Sequence, residues 1–455
     1  MKTVVRSRPI WVLLGVAVTG LSIFIVGCPP PNGGGPPPSG QFAGAARCQP
    51  CHTNIHENWS ATLHATALAT LEAVGHADDP NCVPCHVTGF GEEDGFVDLA
   101  STAALANVQC ESCHGPAGSH VMNVSDESLR PPVPVASEVC GRCHTTDAYP
   151  QFPQWEQSKH SLVTEVPAED FFEGVMLSTC GRCHSGDYRF QVIVRGETVP
   201  EDLLAGVPRE EQHAVECVIC HDPHRRTGNA VSPDQPRDYQ LRYAEVMLLQ
   251  QSNAVSTLTN EDRYNLCGRC HRSRGRTWTS TTRGPHESVQ GNVFIGEMPM
   301  PPGQENTPLV PNTNSTHRFV QAQCATCHMF RHESPSEFAP PIANHTFSVQ
   351  IDSCSSAPGC HPSPQIAEAD FINLRTEVRN RLEGILARLG PPDTWEYSAE
   401  GGPPEEEQGA LPEEILKVRF LYKYILNDGS EGVHNPSYVR LMLSEAERLL
   451  TSIGR

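Results

Sequence analysis

Eighteen cysteines of this chain stand in pairs, and a histidine directly follows the second member of each pair. Eight pairs have the form C-x-x-C-H. In chain order, as sites 1 to 8, they are Cys48, Cys51 and His52; Cys82, Cys85 and His86; Cys110, Cys113 and His114; Cys140, Cys143 and His144; Cys180, Cys183 and His184; Cys217, Cys220 and His221; Cys267, Cys270 and His271; and Cys324, Cys327 and His328. Site 9 is stretched to "CSSAPGCH", with Cys354, Cys360 and His361. Two thiols at this spacing can add to the two vinyl groups on one edge of a porphyrin. The next residue then lies under the metal, where an imidazole ligates iron. The pattern predicts covalent haem c, with the nine histidines as proximal iron ligands. Zinc ribbons also pair C-x-x-C units, but need no histidine behind every second cysteine. A C-x-x-C disulfide closes a small strained ring, typical of redox catalysts rather than staples. At site 9 two readings stay open: a haem, reached by a fold back at Pro358 and Gly359, or a structural disulfide between Cys354 and Cys360. The expected haem number is eight or nine.

A low-spin electron-transfer haem needs a second axial ligand. The chain has eight methionines, one of them the start residue, and twelve histidines beyond the nine proximal ones. Histidine is therefore the expected distal ligand. "WSATLH" and "WEQSKH" share a Trp-x4-His spacing, each after a C-x-x-C-H, and mark His64 and His160 as parts of an internal repeat. His224 and His120 stand too close behind their own motifs to turn back onto the same iron, and could reach a neighbouring one. His286, His317 and His345 lie on polar loops between motifs. His434 precedes Asn435 and Pro436, a cap and first-turn pair that opens a helix. His56, His76, His213 and His332 rank lower.

These sites must be carried by a chain with a thin apolar core. It is 455 residues long, with 38% hydrophobic and 6% aromatic residues, 40 prolines and 36 glycines, which implies many turns and long irregular connections. Iron ligands from remote segments would act as long-range cross-links and offset that deficit. Residues 41–361 hold all the haem motifs. Helical pieces are expected at 55–74 and 241–250, and a short hairpin within 88–98. Beyond His361, Ile366, Phe371, Leu374, Val378, Leu382, Ile385 and Leu389 follow a helical period, and 415–426 and 438–450 are again helical. Residues 362–455 therefore read as a C-terminal helical region that packs over the haems or against another subunit.

The first 28 residues read as an export signal, with Lys2, Arg6 and Arg8 before an uncharged apolar run. The ending "IVGC" resembles a bacterial lipobox, which would lipidate Cys28 and tie the chain to a membrane; an uncleaved membrane anchor is the alternative. Either places the bulk outside the cytoplasm, periplasmic or at the cell surface. Residues 29–40, rich in proline and glycine, form an expected tether. Loss of residues 1–28, with three bases and no acid, takes the net charge from −20 to −23. That charge argues against nucleic acid and against adhesion to anionic lipid.

"RCQPCHTNIHENWSATLHA", "NCVPCHVTGFGEEDGF" and "VQCESCHGPAGSH" resemble the repeated elements of the cytochrome c-554 family of multihaem c-type cytochromes, over about residues 42–230. "CATCHM", "NHTF" and "GVHNP" resemble, more loosely, wider multihaem cytochromes that include hydroxylamine-oxidising and tetrathionate-reducing enzymes. The resemblance implies closely packed, mostly bis-histidine haems on a mainly α, loop-rich scaffold with few short strands and C-terminal helices. The C-x-x-C-K site of pentahaem nitrite reductases is absent. Two functions follow as expectations. One is an electron carrier between membrane donors or acceptors and other redox proteins. The other is an oxidoreductase with one open haem, acting on a small nitrogen or sulfur compound of the hydroxylamine, nitrite or tetrathionate type.

Overall fold

A computed structural model of the chain describes residues 41–163, 174–229, 238–247, 251–254, 261–336, 339–356 and 360–455. The expected export segment, tether and Cys28, and Pro358 and Gly359 at site 9, lie outside the described residues.

Up to site 9 the described helices are short, the longest being Gly174–His184, and several are single turns built on the motifs themselves, such as Cys110–His114, Cys217–Cys220 and Cys324–His328. Helices this short do not hold in water by themselves, so tertiary contacts must hold them. The described strands are one two-residue antiparallel pair, β1 (Arg331–His332) with β2 (Ile342–Ala343), in which Arg331 faces Ala343.

Three local expectations change. The helix expected over 55–74 breaks into α1 (Thr53–Ser60), a single 3-10 turn at His64–Thr66 and α2 (Ala67–Glu72). Thr62 ends α1 by folding back, with both its amide (2.8 Å) and its hydroxyl (2.7 Å) donating to the Trp59 carbonyl. The segment at 88–98 turns back without a ladder. Phe96 N–H donates to Thr88 O at 3.0 Å, and Gly95 packs so tightly that a Cβ there would lie 1.7 Å from Gly89 O. Residues 241–247, the described part of the expected helix at 241–250, are not helical; Leu241 bridges His221 instead.

The C-terminal helices form as the apolar period requires: α3 (Pro364–Leu389), α4 (Glu413–Asp428) and α5 (Pro436–Ser452). Their inward residues, among them Val378, Ile385, Leu421, Tyr424, Val439 and Leu443, form one core with Trp278, Val289, Val293, Met298 and Val310. These helices are thus seated on the segment that follows site 7. Asn435 is the joint. Its side chain accepts from Tyr438 N–H to cap α5 (3.1 Å) and donates to the carbonyls of Val293 (3.0 Å) and Thr313 (2.6 Å), fully buried. A smaller core of Phe42, Leu68, Leu71, Val83, Val87, Phe96 and Leu105 holds the first three motifs.

Asn435→Ala removes a cap and strands two buried carbonyls, so it lowers stability by about 3 kcal/mol, read from the chemical-denaturation midpoint. A second prediction concerns Glu245, which is 5% exposed with Oε2 unpartnered. Burial, against the pull of Arg331, pushes its carboxyl up to about 7. The folded state then binds a proton more tightly than the unfolded one, so stability falls as pH rises from about 4.5 through 7. Glu245→Gln abolishes that loss. Its stability relative to the parent rises by on the order of 3 kcal/mol between pH 5 and pH 8, measured by denaturation at both values.

Candidate haem sites

Each motif is folded into one turn. The histidine amide reaches the first cysteine's carbonyl at 2.9 Å in His52–Cys48, 3.0 Å in His144–Cys140, 2.9 Å in His221–Cys217 and 3.0 Å in His271–Cys267. Site 9 makes the same closure, His361 N–H to Cys354 O at 3.1 Å, across three more residues. Cys354 and Cys360 both carry free thiols, so the expected disulfide alternative is not formed. A zinc ribbon also finds no support: the one metal-type trio among the described residues is His76, Asp79 and Cys82.

Six proximal candidates face a second imidazole drawn from about a hundred residues away. Ring centroids are 6.3 Å apart in His144–His64, 6.0 Å in His114–His224, 6.1 Å in His271–His160, 6.1 Å in His184–His286, 6.4 Å in His221–His345 and 6.2 Å in His328–His434. A metal–imidazole bond is about 2.0–2.1 Å; with about 1.1 Å from nitrogen to ring centre, two imidazoles that share a metal stand about 6.2–6.4 Å apart. His317 lies in the electrostatic field of both His361 and His434. His120, expected as a distal ligand, is not brought opposite a proximal histidine among the described residues. Its helix, Gly118–Met122, abuts Gln41 ahead of site 1, and its Nδ1 is buried without a partner. No imidazole faces His52 or His86 in this way among the described residues. The lower-ranked histidines sit elsewhere: His56 against Trp59, His76 on Asp79, His213 on Asp187, and His332 against Phe330.

Second partners orient the rings. Nδ1 is bound to a backbone carbonyl in His86 (Ala67, 2.7 Å), His114 (Pro132, 2.7 Å), His221 (Tyr239, 2.8 Å), His328 (Phe347, 2.9 Å), His317 (Val433, 2.9 Å) and His345 (Ala343, 2.8 Å). An N–H donated there leaves Nε2 as the free lone pair. In His434 and His361 the partner is a carboxylate, Asp428 (2.7 Å) and Asp370 (3.1 Å). Burial pushes His64, His160, His184, His286 and His345 down to about 4, which keeps these rings neutral, the ligating form. At His286, Nε2 lies 3.2 Å from Arg274 Nη1, so an iron held there would compete with the guanidinium for that atom.

The motifs adjoin one another through their sulfurs. Cys48 lies beside Cys110, Cys85 beside Cys143, Cys140 beside Cys217, Cys183 beside Cys270, and Cys267 beside Cys324. Cys113 is in electrostatic contact with Cys143, Cys220 with Cys270, and Cys327 with Cys354. The repeat seen in sequence is also a repeat of hydrogen bonds. Trp59 Nε1 donates to Val108 O (3.2 Å) while Val108 N–H returns to His64 O (3.1 Å); Trp155 Nε1 donates to Val215 O (3.0 Å) while Val215 N–H returns to His160 O (3.0 Å). The residue before the next cysteine completes it. Gln109 accepts from Ala45 N–H (2.5 Å) and Glu216 from Ser137 N–H (2.9 Å), each donor three residues before its own motif. Sequence reasoning passed over Gln109 and Glu216; the recurring V-Q-C and V-E-C could have marked them. Asp428 and Asp370 carried no such signal.

The residues present fit the expected cofactor. A continuous cavity of about 3310 Å³ touches motif residues of sites 2 to 9 and carries His64, His160, His286, His317, His345 and His434 on its walls. That is several times the space a single drug-sized ligand needs. Buried unpartnered donors, Arg47 Nε and Arg331 Nε, suit the carboxylates that haem carries.

Known proteins give the same picture. Residues 47–115 match the family model "Cytochrome c554 and c-prime". Cytochrome c-554 of Nitrosomonas europaea is 34% identical over 90 residues, covering 16% of this chain and 38% of that relative. The chain thus spans well under half the length of the relative it matches. Two solved structures share the fold. The outer cell wall cytochrome OcwA superposes with a TM-score of 0.59 at 16% identity over 90% of this chain and 100% of its own. The undecaheme cytochrome from the S-layer of Carboxydothermus ferrireducens gives 0.53 at 19% identity over 90% and 69%. Among the described residues no helix is long and apolar enough to cross a membrane. The chain therefore carries a cytochrome c554 and c-prime element at residues 47–115, within a mainly helical, loop-rich fold shared with multihaem cytochromes.

Proposed function

We propose that this chain is an exported electron carrier with nine covalently bound haems c, lipid-anchored through Cys28 and exchanging electrons with other redox proteins or membrane donors. The observation that carries the reading is the unbroken succession of motif contacts. Through the cysteine neighbours described above it runs 1–3–4–6–7–8–9, with site 2 branching from site 4 and site 5 from site 7. Bound haem supplies a reversible one-electron Fe(III)/Fe(II) couple. The chain's part is to fix the spacing and to hold imidazoles on both sides of six of the iron positions. Site 9 is included because its turn closure repeats that of the C-x-x-C-H motifs, its two thiols are free, and His317 lies in the electrostatic field of His361.

The oxidoreductase reading needs an iron with one side open. His52 and His86 are where it applies: no second imidazole faces either in a ring pair among the described residues, and His86 has its Nδ1 held by Ala67 O. The substrate would again be a small nitrogen or sulfur compound.

Intact mass before and after haem removal is expected to give nine haems, and Cys360→Ala together with Cys354→Ala to give eight. An unchanged mass in the double variant reassigns site 9 as structural. The carrier is expected to exchange electrons with one-electron mediators and to consume neither nitrite nor hydroxylamine. Steady consumption, lost on blocking site 1 or site 2 with cyanide, replaces the carrier by the oxidoreductase.

A further inference from the structure

Sites 7 and 8 are neighbours, with Cys267 beside Cys324 and Asn265 Nδ2, just before the site 7 motif, 3.5 Å from Cys324 Sγ, yet their charged surroundings are opposite in sign. At site 8 the facing imidazole is His434, whose Nδ1 lies 2.7 Å from Asp428 Oδ1. The Asp428 side chain is fully buried, closing α4, while Gly429 turns the chain in the left-handed region (φ +71°) so that His434 comes back over it. Ser430 donates its hydroxyl to the other carboxylate oxygen and accepts from His434 N–H at 3.1 Å. The other carboxylate-backed candidate, His361, uses Asp370, which is 59% exposed and so screened by water. The remaining Nδ1 partners described for candidate ligands are neutral backbone carbonyls.

At site 7 the charge is positive. Arg269, inside the site 7 motif, and Arg182, inside the site 5 motif, converge with Arg189 and Arg272 on one buried carboxylate, Glu261, at 3.8, 3.1, 3.5 and 4.0 Å. Asp262 takes a second contact from Arg269 at 2.9 Å, which leaves four guanidiniums against two carboxylates. Glu245 lies in the field of both Cys267 and Cys324 and does not separate the two sites.

A carboxylate on the far nitrogen makes an imidazole a stronger donor and favours Fe(III). Buried positive charge disfavours Fe(III). Resting on the carrier reading, we propose that Asp428 is a positioning residue that makes site 8 the lowest-potential position of the chain. An electron then passes downhill from site 8, oxidised by one, to site 7, reduced by the same one.

The test is a potentiometric titration of the holoprotein, followed by visible and EPR spectra, with the haem number checked by mass. Asp428→Asn is expected to raise the lowest potential by about 59 mV, a tenfold change in a one-electron couple, and to alter one low-spin ferric signal. Asp428→Glu keeps the potential low, and Asp370→Asn leaves the lowest potential in place. Ser430→Ala, which frees the carboxylate of a competing donor, moves the lowest potential further down; this variant decides the matter if Asp428→Asn fails to fold. A full haem complement with an unmoved lowest potential in both Asp428→Asn and Ser430→Ala overturns the proposal and leaves the carrier reading intact. A parent protein without covalent haem overturns both.

Discussion

Two imidazoles set about 6 Å apart, from segments about a hundred residues distant, are the constraint on which this architecture depends. Each such pair ties a short helical turn to a remote loop. The chain repeats this at His144 with His64, at His271 with His160, and at His328 with His434. Among the described residues between 41 and 361 no helix is long enough to stand alone, and apart from the segment 278–310 that joins the C-terminal core the apolar clusters are small. Order there comes from hydrogen bonds such as those of the Trp59 and Trp155 indoles. Ordinary hydrophobic packing is concentrated in the C-terminal helices, which bury the largest of the described apolar clusters.

That division of labour explains why the C-terminal helices are attached where they are. α4 and α5 meet at a tight turn that offers one residue, His434, to site 8. Asn435, directly behind it, bonds the backbone at Val293 and Thr313. The rigid apolar lobe thereby fixes a ligand-bearing loop, as a preorganised scaffold should. The buried Asp428 beneath that imidazole belongs to the same lobe. So the most conventionally packed part of the molecule also carries the buried carboxylate that backs a candidate ligand imidazole.

The internal repeat has a related logic. Trp59 with His64 and Trp155 with His160 each clamp the strand of chain that enters a motif two residues later. Gln109 and Glu216 then bind the backbone three residues before an earlier motif. One unit therefore docks the next in a constant orientation. Their sulfurs meet in the same order, Cys48 with Cys110 and Cys140 with Cys217. A chain assembled this way lengthens a path of adjacent sites without a new interface for each addition.

Much of this was legible in the residues. Cysteine and histidine spacing is a covalent property of the chain, so all nine motifs could be read directly, and the Trp-x4-His repeat pointed to His64 and His160. The apolar period of 364–389 is local too, and the helix formed as expected. What the chain alone could not disclose is which rings meet. The pairing of His184 with His286 or His221 with His345 depends on how loops rich in proline and glycine cross in space, and such loops carry no periodic signal. For the same reason His120, plausible by position, was left without a facing partner among the described residues, while Thr62 broke a helix whose apolar pattern ran on. The charge on each site was also decided only in three dimensions. The arginines of two identical "CGRCH" motifs, Arg182 and Arg269, reach one glutamate far from the first, and Asp428 and His434 meet only because a left-handed glycine folds them together. Local spacing specified the candidate ligands; tertiary folding decided how they combine, because contact between remote segments is not encoded in any one of them.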